Sequence, residues 1–125
     1  MQYDWLSDYC LEKPGAVKEW KEDWGVFRYL VGGKMFLMDG EDNTGRKIIT
    51  LRLDPLRGDE ERLRFCGDVM PGYYMNKVHW NSIDRTGGVP DGVLKNMIDE
   101  SYSIILSGLT KKMQSAIAES ACKKG

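Results

Sequence analysis

The chain has 125 residues, 42% of them hydrophobic, and its 18 Lys and Arg are balanced by 19 Asp and Glu for a formal net charge of −1. That length fits one domain over residues 1–125, able to bury a core without disulfide or metal staples, and the near-neutral balance sets the chain apart from the basic composition of dedicated nucleic-acid-binding modules. There is no long apolar run and no basic leader followed by an apolar stretch, so the expectation is a cytoplasmic protein with no membrane partner. Cys10, Cys66 and Cys122 are far apart and odd in number, which fits neither a disulfide framework nor a Cys-x-x-Cys metal site and predicts reduced, mostly buried thiols.

In chain order, Asp4 can cap a first helix whose Trp5, Leu6, Tyr9 and Cys10 recur at helical spacing and which Pro14-Gly15 ends. Val17 to Trp24 reads as a polar, partly exposed strand, Val26 to Val31 as a stronger one, and Gly32-Gly33 as a tight turn into Lys34 to Met38. The polar stretch Asp39 to Gly45 suits an exposed hairpin tip, and Lys47 to Leu53 alternates as a fourth strand of an antiparallel meander. Asp54 before Pro55 opens a short helix that ends near Cys66-Gly67. Pro71-Gly72 turns the chain into a strand over Lys77 to Asp84, with Val78, Trp80 and Ser82 on one side and His79, Asn81 and Ile83 on the other. A long helix starts at Pro90 and carries Leu94, Met97, Ile98, Tyr102, Ile105 and Leu106 on one side; Gly108 breaks it before a last amphipathic helix over Thr110 to Ala121. The expected order is α-β-β-β-β-α-β-α-α, an α+β fold with an antiparallel sheet and helices packed on one face.

The run Pro71-Gly72-Tyr73-Tyr74-Met75-Asn76-Lys77-Val78-His79-Trp80 concentrates the chain's lone His with a Trp, two Tyr, a Lys and an amide. That is more stacking and hydrogen-bonding capacity than a plain connection requires. It supplies no reaction by itself: a single imidazole with no Cys nucleophile, paired carboxylate or second His beside it cannot form a catalytic relay, and nothing in the run calls for a metal or cofactor. Lys77 suits a phosphate as a point charge. Asn76 can read an adenine edge, but an Asx-type turn is the more ordinary use of it. Tyr73 and Tyr74 offer stacking faces in an exposed loop, and Trp80 is either a core indole or a third face. On a flat strand His79 and Trp80 point opposite ways, so one of them is expected at the surface; for His79 a structural bond to backbone ranks above a phosphate contact.

Arg28, Lys34, Arg46, Lys47 and Arg52 lie on the neighbouring strands as candidates for a surrounding basic surface, although strand alternation prevents all of them from facing one way, and Glu19, Glu22, Asp23, Glu41 and Asp42 are interspersed. Gly32-Gly33-Lys34 lacks the spacing of a phosphate loop. Asp59, Glu60 and Glu61 sit where a helix N-terminus already favours acidic residues, so iron binding ranks low.

Pro71-Gly72-Tyr73 followed by Met75-Asn76-Lys77 and His79-Trp80 resembles the signature of the MmcQ/YjbR-like family. Tyr9-Cys10-Leu11 with Lys13-Pro14-Gly15-Ala16, Val31-Gly32-Gly33-Lys34-Met35-Phe36, Leu53-Asp54-Pro55, Val89-Pro90-Asp91 and Ser101-Tyr102 resemble its further landmarks, in order along nearly the whole chain. The resemblance implies a frataxin-like (CyaY-like, double-wing) arrangement and, from hairpins likened to wings, a non-enzymatic DNA-binding protein. The leading expectation is therefore nucleic-acid contact through Lys77, Asn76, Tyr73, Tyr74, His79, Trp80 and the strand-borne Arg28, Lys34, Arg46, Lys47 and Arg52. The alternative is that the same run lines a pocket for a small molecule or a protein partner, to which near-neutral charge is better suited.

Overall fold

A computed structural model describes residues 3–72 and 76–124. Its elements are α1 (Leu6–Leu11), β1 (Ala16–Lys21), β2 (Val26–Val31), β3 (Lys34–Glu41), β4 (Lys47–Arg52), α2 (Pro55–Arg64), β5 (Val69–Pro71), β6 (Trp80–Asp84), α3 (Asp91–Ser107) and α4 (Lys111–Lys124). The strands form one antiparallel sheet in the order β1-β2-β3-β4-β6-β5, so β1 and β5 are its edges. The α+β class matches expectation. The order departs from it by β5, a three-residue strand against β6 that is too short to leave a periodic signal.

Two cross-strand rows, Tyr29–Leu37–Leu51–Asn81 and Phe27–Asp39–Ile49–Ile83–Val69, share the face that meets the helices. Most of their apolar members join Leu94, Met97 and Ile98 of α3 and Leu6 and Cys10 of α1 in the core. The opposite face is not a polar one. It carries Met38, Thr50 and Ser82 in one row, all buried, with the Thr50 and Ser82 hydroxyls bonded at 2.8 Å. The helices are fastened by tyrosines whose hydroxyls reach backbone or carboxylate: Tyr3 donates to the Val89 carbonyl at 2.6 Å, Tyr102 to the Pro14 carbonyl at 2.5 Å and Tyr9 to Asp99 at 2.7 Å. Burial, helped by the Asp99 carboxylate, pushes the Tyr9 phenol up to about 12.

Local chemistry explains the boundaries. Asp54 caps α2, accepting from the Leu56 N–H at 3.2 Å, with Pro55 in the first turn. The first helix starts one residue later than its expected cap, with Trp5 at the N-cap and no side-chain bond there. The first strand stops at Lys21 because the Trp24 and Gly25 N–H groups turn back to the Lys21 carbonyl. β6 starts at Trp80 rather than Lys77. Cys10 is buried and its thiol is pushed up to about 12 by desolvation, while Cys66 is exposed, against expectation, because the chain turns there after α2. The side chain of Cys122 lies outside the described residues. Among the described residues no helix is long and apolar enough to cross a membrane.

One irregularity organises the centre of the sheet. β3 carries an extra residue, Phe36, opposite the Tyr29–Leu30 step of β2. Its displaced carbonyl accepts from the Ser101 hydroxyl of α3 at 2.5 Å, and the Ser101 hydroxyl oxygen in turn accepts from the Arg52 N–H at the end of β4 at 2.9 Å. Ser101→Ala should leave both backbone groups without that partner and destabilise the fold by about 1–3 kcal/mol, with the urea midpoint falling and the slope unchanged.

Candidate functional site

The structure divides the expected basic surface between the two ends of the sheet. Lys34 at the β2–β3 turn, Arg52 at the end of β4, and Lys77 and His79 before β6 lie at one end; Arg46 and Lys47, before and at the start of β4, lie at the other. The length of β4 holds the two groups apart by roughly 17 Å. Several of these cations are already engaged. Arg28 is paired with Glu19, and Arg46 donates to Asp84 at 2.7 Å, to the Met70 sulfur at 2.9 Å and to the Gly67 carbonyl at 2.6 Å.

Within the signature run, Tyr73 and Tyr74 lie outside the described residues. Asn76 builds the turn: its Oδ1 accepts from the Val78 N–H at 2.8 Å, and its carbonyl accepts from the His79 and Trp80 N–H groups at 3.2 and 3.0 Å. That turn consumes residues 77–79, which is why the strand starts late. Trp80 is core-like and buried; His79 is half-buried, so neither of the pair is fully exposed. Gly72 packs directly on Trp80, its N–H bonded to the Trp80 carbonyl at 2.7 Å, where a Cβ would come within 2.7 Å of the Trp80 Cβ. Lys77 is exposed and leans back toward the Gly72 carbonyl at 3.5 Å. His79 and Arg52 share a shallow recess of about 240 Å³ with Asp54 and Ile104. The acidic residues of α2 are bound by arginines, since Arg57 holds Glu60, Glu61 and Glu100, and Arg62 holds Asp59. No set of three or more metal-ligating side chains occurs among the described residues.

A larger and chemically richer cleft, of about 490 Å³, opens at the other end of the helix-bearing face, between the β1–β2 turn and the β3–β4 turn. Its wall is aromatic. Trp20 and Phe27 are cross-strand partners in an edge-to-face contact with centroids 4.9 Å apart, Trp24 stands at the turn beside them, and the three remain 50%, 39% and 39% exposed in that order. Asp39, next to Phe27 in the register, is paired with Arg85, and Lys47 stands at the rim. These residues meet only through strand register, so the run Trp20-x-x-x-Trp24-x-x-Phe27 carried one usable signal: two Trp within and just after a strand that is otherwise polar.

The comparisons agree with this architecture. The family model described as YjbR matches residues 11–104. The chain belongs to the YjbR family. Relatives include the uncharacterized protein YjbR of Escherichia coli (strain K12), 27% identical over 114 residues that cover 91% of this chain and 95% of that one. The uncharacterized protein YyaQ of Bacillus subtilis (strain 168) is 37% identical over 104 residues, or 82% and 81% of the two chains. Among solved structures, Deinococcus radiodurans protein DR2400, described by the domain DUF419, superposes with a TM-score of 0.82 at 26% identity over 94% of this chain and 88% of that one. A Pseudomonas syringae protein shares the fold at a TM-score of 0.71 and 17% identity, over 84% of this chain and 99% of that one. The match in this YjbR-family chain thus runs from the end of α1 to α3 and takes in the cleft as well as the signature turn.

Asp84 links the two turns that bound the β4–β6 pair. Burial pushes its carboxyl up, but hydrogen bonds from the Thr86 hydroxyl and N–H and from Arg46 outweigh that and hold it below the ordinary carboxylate range. Its contribution to stability is therefore present above that range and lost as pH falls through the lowered native value. Asp84→Asn should cost about 1 kcal/mol at neutral pH. The difference from wild type should vanish in acid, once the wild-type carboxyl is itself protonated, and thermal unfolding across a pH series measures it.

Proposed function

We propose that this YjbR-family protein is a non-catalytic binding module that holds a small planar ligand in the aromatic cleft of Trp20, Trp24 and Phe27. The observation that carries the reading is the set of three large aromatic side chains left 39–50% exposed on β1, β2 and the turn between them, around a concavity of about 490 Å³ that charged groups also line. That combination of an apolar wall and a few placed polar groups is the usual composition of a ligand pocket.

We also read the sheet as the CyaY-like, double-wing arrangement, with the β1–β2 and β3–β4 hairpins as wings and the cleft between their tips. Wings that grip DNA need cations at those tips. Here Lys21, Arg46 and Lys47 are interspersed with Glu22, Asp23, Glu41 and Asp42, which outnumber them, with Lys21 3.9 Å from Asp23 and Arg46 bound to Asp84. The wing geometry therefore favours a small ligand over a polyanion, and the nucleic-acid reading rests on the family resemblance alone.

Two titrations separate the readings. In amide-shift mapping with a panel of flat aromatic fragments, the expected result is perturbation of the Trp20 and Trp24 indoles and the Gly40 amide, abolished in a Trp20→Ala/Phe27→Ala variant. In fluorescence anisotropy with labelled single- and double-stranded oligonucleotides, the expected result is no salt-sensitive binding. Binding that falls steeply with salt and is weakened by Lys77→Ala would return the ligand to nucleic acid and its site to the signature turn.

A further inference from the structure

We infer that the cleft selects an aromatic acid: a flat ring seated against Trp20 and Phe27 whose carboxylate or equivalent anionic group is met by Lys47, with Arg85 behind it. The inference rests on the binding role proposed above and adds the chemical class of the ligand.

The formal charges of the lining do not decide the matter, because Asp39, Glu41 and Asp42 stand against Lys47 and Arg85. What decides it is which groups still have capacity. Asp39 is paired with Arg85. Asp42 is occupied within its own turn: its Oδ1 accepts from the Thr44 hydroxyl at 2.6 Å, the Thr44 N–H at 2.8 Å and the Arg46 N–H at 3.0 Å, and these bonds, the Thr44 hydroxyl foremost, hold its carboxyl below the ordinary range. Glu41 is engaged as well. On the cationic side, Lys47 is exposed and has no carboxylate partner among the described residues, and the Arg85 Nε is buried with no hydrogen-bond partner while another nitrogen of the same guanidinium holds Asp39. With the Arg85 guanidinium committed to Asp39, the exposed ammonium of Lys47 is the charged group of the lining left to take an acceptor from a ligand.

The aromatic faces give the same answer from a different direction. Rings of this kind ordinarily attract cations, and a cationic ligand is the obvious competitor. Here the protein has already supplied them: the Lys18 Nζ lies 4.4 Å from the Phe27 centroid and the Lys21 Nζ lies 5.7 Å from that of Trp24. A cationic guest would meet the like charge of Lys18 at Phe27, whereas a ring bearing an anion would gain from Lys18 and Lys47; Lys21 adds less, being 3.9 Å from Asp23.

The test uses three probes with the same ring and different charge: 2-naphthoate, 2-naphthamide and 2-naphthylmethylammonium, each titrated into the full chain and followed by amide shifts and calorimetry at low salt. The expected order is naphthoate tightest, by about fivefold over the amide, with the ammonium weakest; raising salt should shrink the advantage. Lys47→Ala should remove the naphthoate preference while leaving amide affinity unchanged, and Lys47→Arg should retain it. Lys77→Ala, at the far end of the sheet, should change nothing. Equal affinity for the three probes, tighter binding of the ammonium, or a naphthoate preference that survives Lys47→Ala would overturn the assignment while leaving the cleft a binding site. If no probe moves the cleft amides, the binding role itself fails, and the inference with it.

Discussion

The Ser101 hydroxyl is the contact on which the geometry of the sheet depends. A strand that gains a residue, as β3 does at Phe36, loses a ladder bond there and swings a carbonyl out of register. In the interior that carbonyl needs a donor, and the nearby end of β4 needs an acceptor. One hydroxyl on α3 serves both, at 2.5 and 2.9 Å. The helix is thereby seated on the sheet at one point in the register, and the Phe36 ring, brought against Tyr102 edge-on at 5.4 Å, fixes its rotation. Since α3 is in turn tied to α1 by Tyr9, Lys13 and Asp99, the helical layer follows from that seat.

Because the helices are seated over β2, β3 and β4 toward one end, the other end of the same sheet face is left with its aromatic row uncovered. The cleft thus follows from where α3 is seated, and it is lined by the residues that register brings there. Phe27, Asp39 and Ile49 are neighbours in one cross-strand row, so a ring, a charge and the edge of the core occur within two strand spacings. The signature turn lies at the opposite end, where Asn76 spends its hydrogen bonds on shaping the chain and Gly72 supplies the space that Trp80 needs. Asn76 and Gly72 are explained by architecture, and the aromatic cleft lies at the other end of the sheet, among residues outside the conspicuous cluster of the sequence.

The legible parts of the chain were those with local causes. Asp54-Pro55 and Pro90 announced two helices, Gly32-Gly33 a hairpin and Gly108 a break, because caps and turns are written in adjacent residues. The illegible parts had distant causes. β5 exists because β6 offers it an edge, not because Val69-Met70-Pro71 has a pattern. The strand expected from Lys77 begins at Trp80 because a side chain at Asn76 outcompetes the ladder. Thr50 and Ser82 are buried on the face away from the core helices, and two hydroxyls bonded to each other can sit in an interior that alternation alone would assign to solvent. Trp20 lies within the strand expected to be polar and partly exposed, and it is exposed; what the sequence did not carry was its place opposite Phe27, which is itself opposite Asp39.

The edge position of β1 has a consequence for how copies of the protein behave in a crowded solution. An open edge with exposed Val17 and Trp20 is the sort of surface on which identical chains stack into ribbons. Two copies meeting antiparallel about a two-fold axis must place residues of the same face opposite each other. Centred on Lys18, that sets ammonium against ammonium; centred on Glu19, it sets carboxylate against carboxylate. The strand therefore repels its own image in the two registers that would use most of its length, and the chain can keep its indoles in water without inviting aggregation.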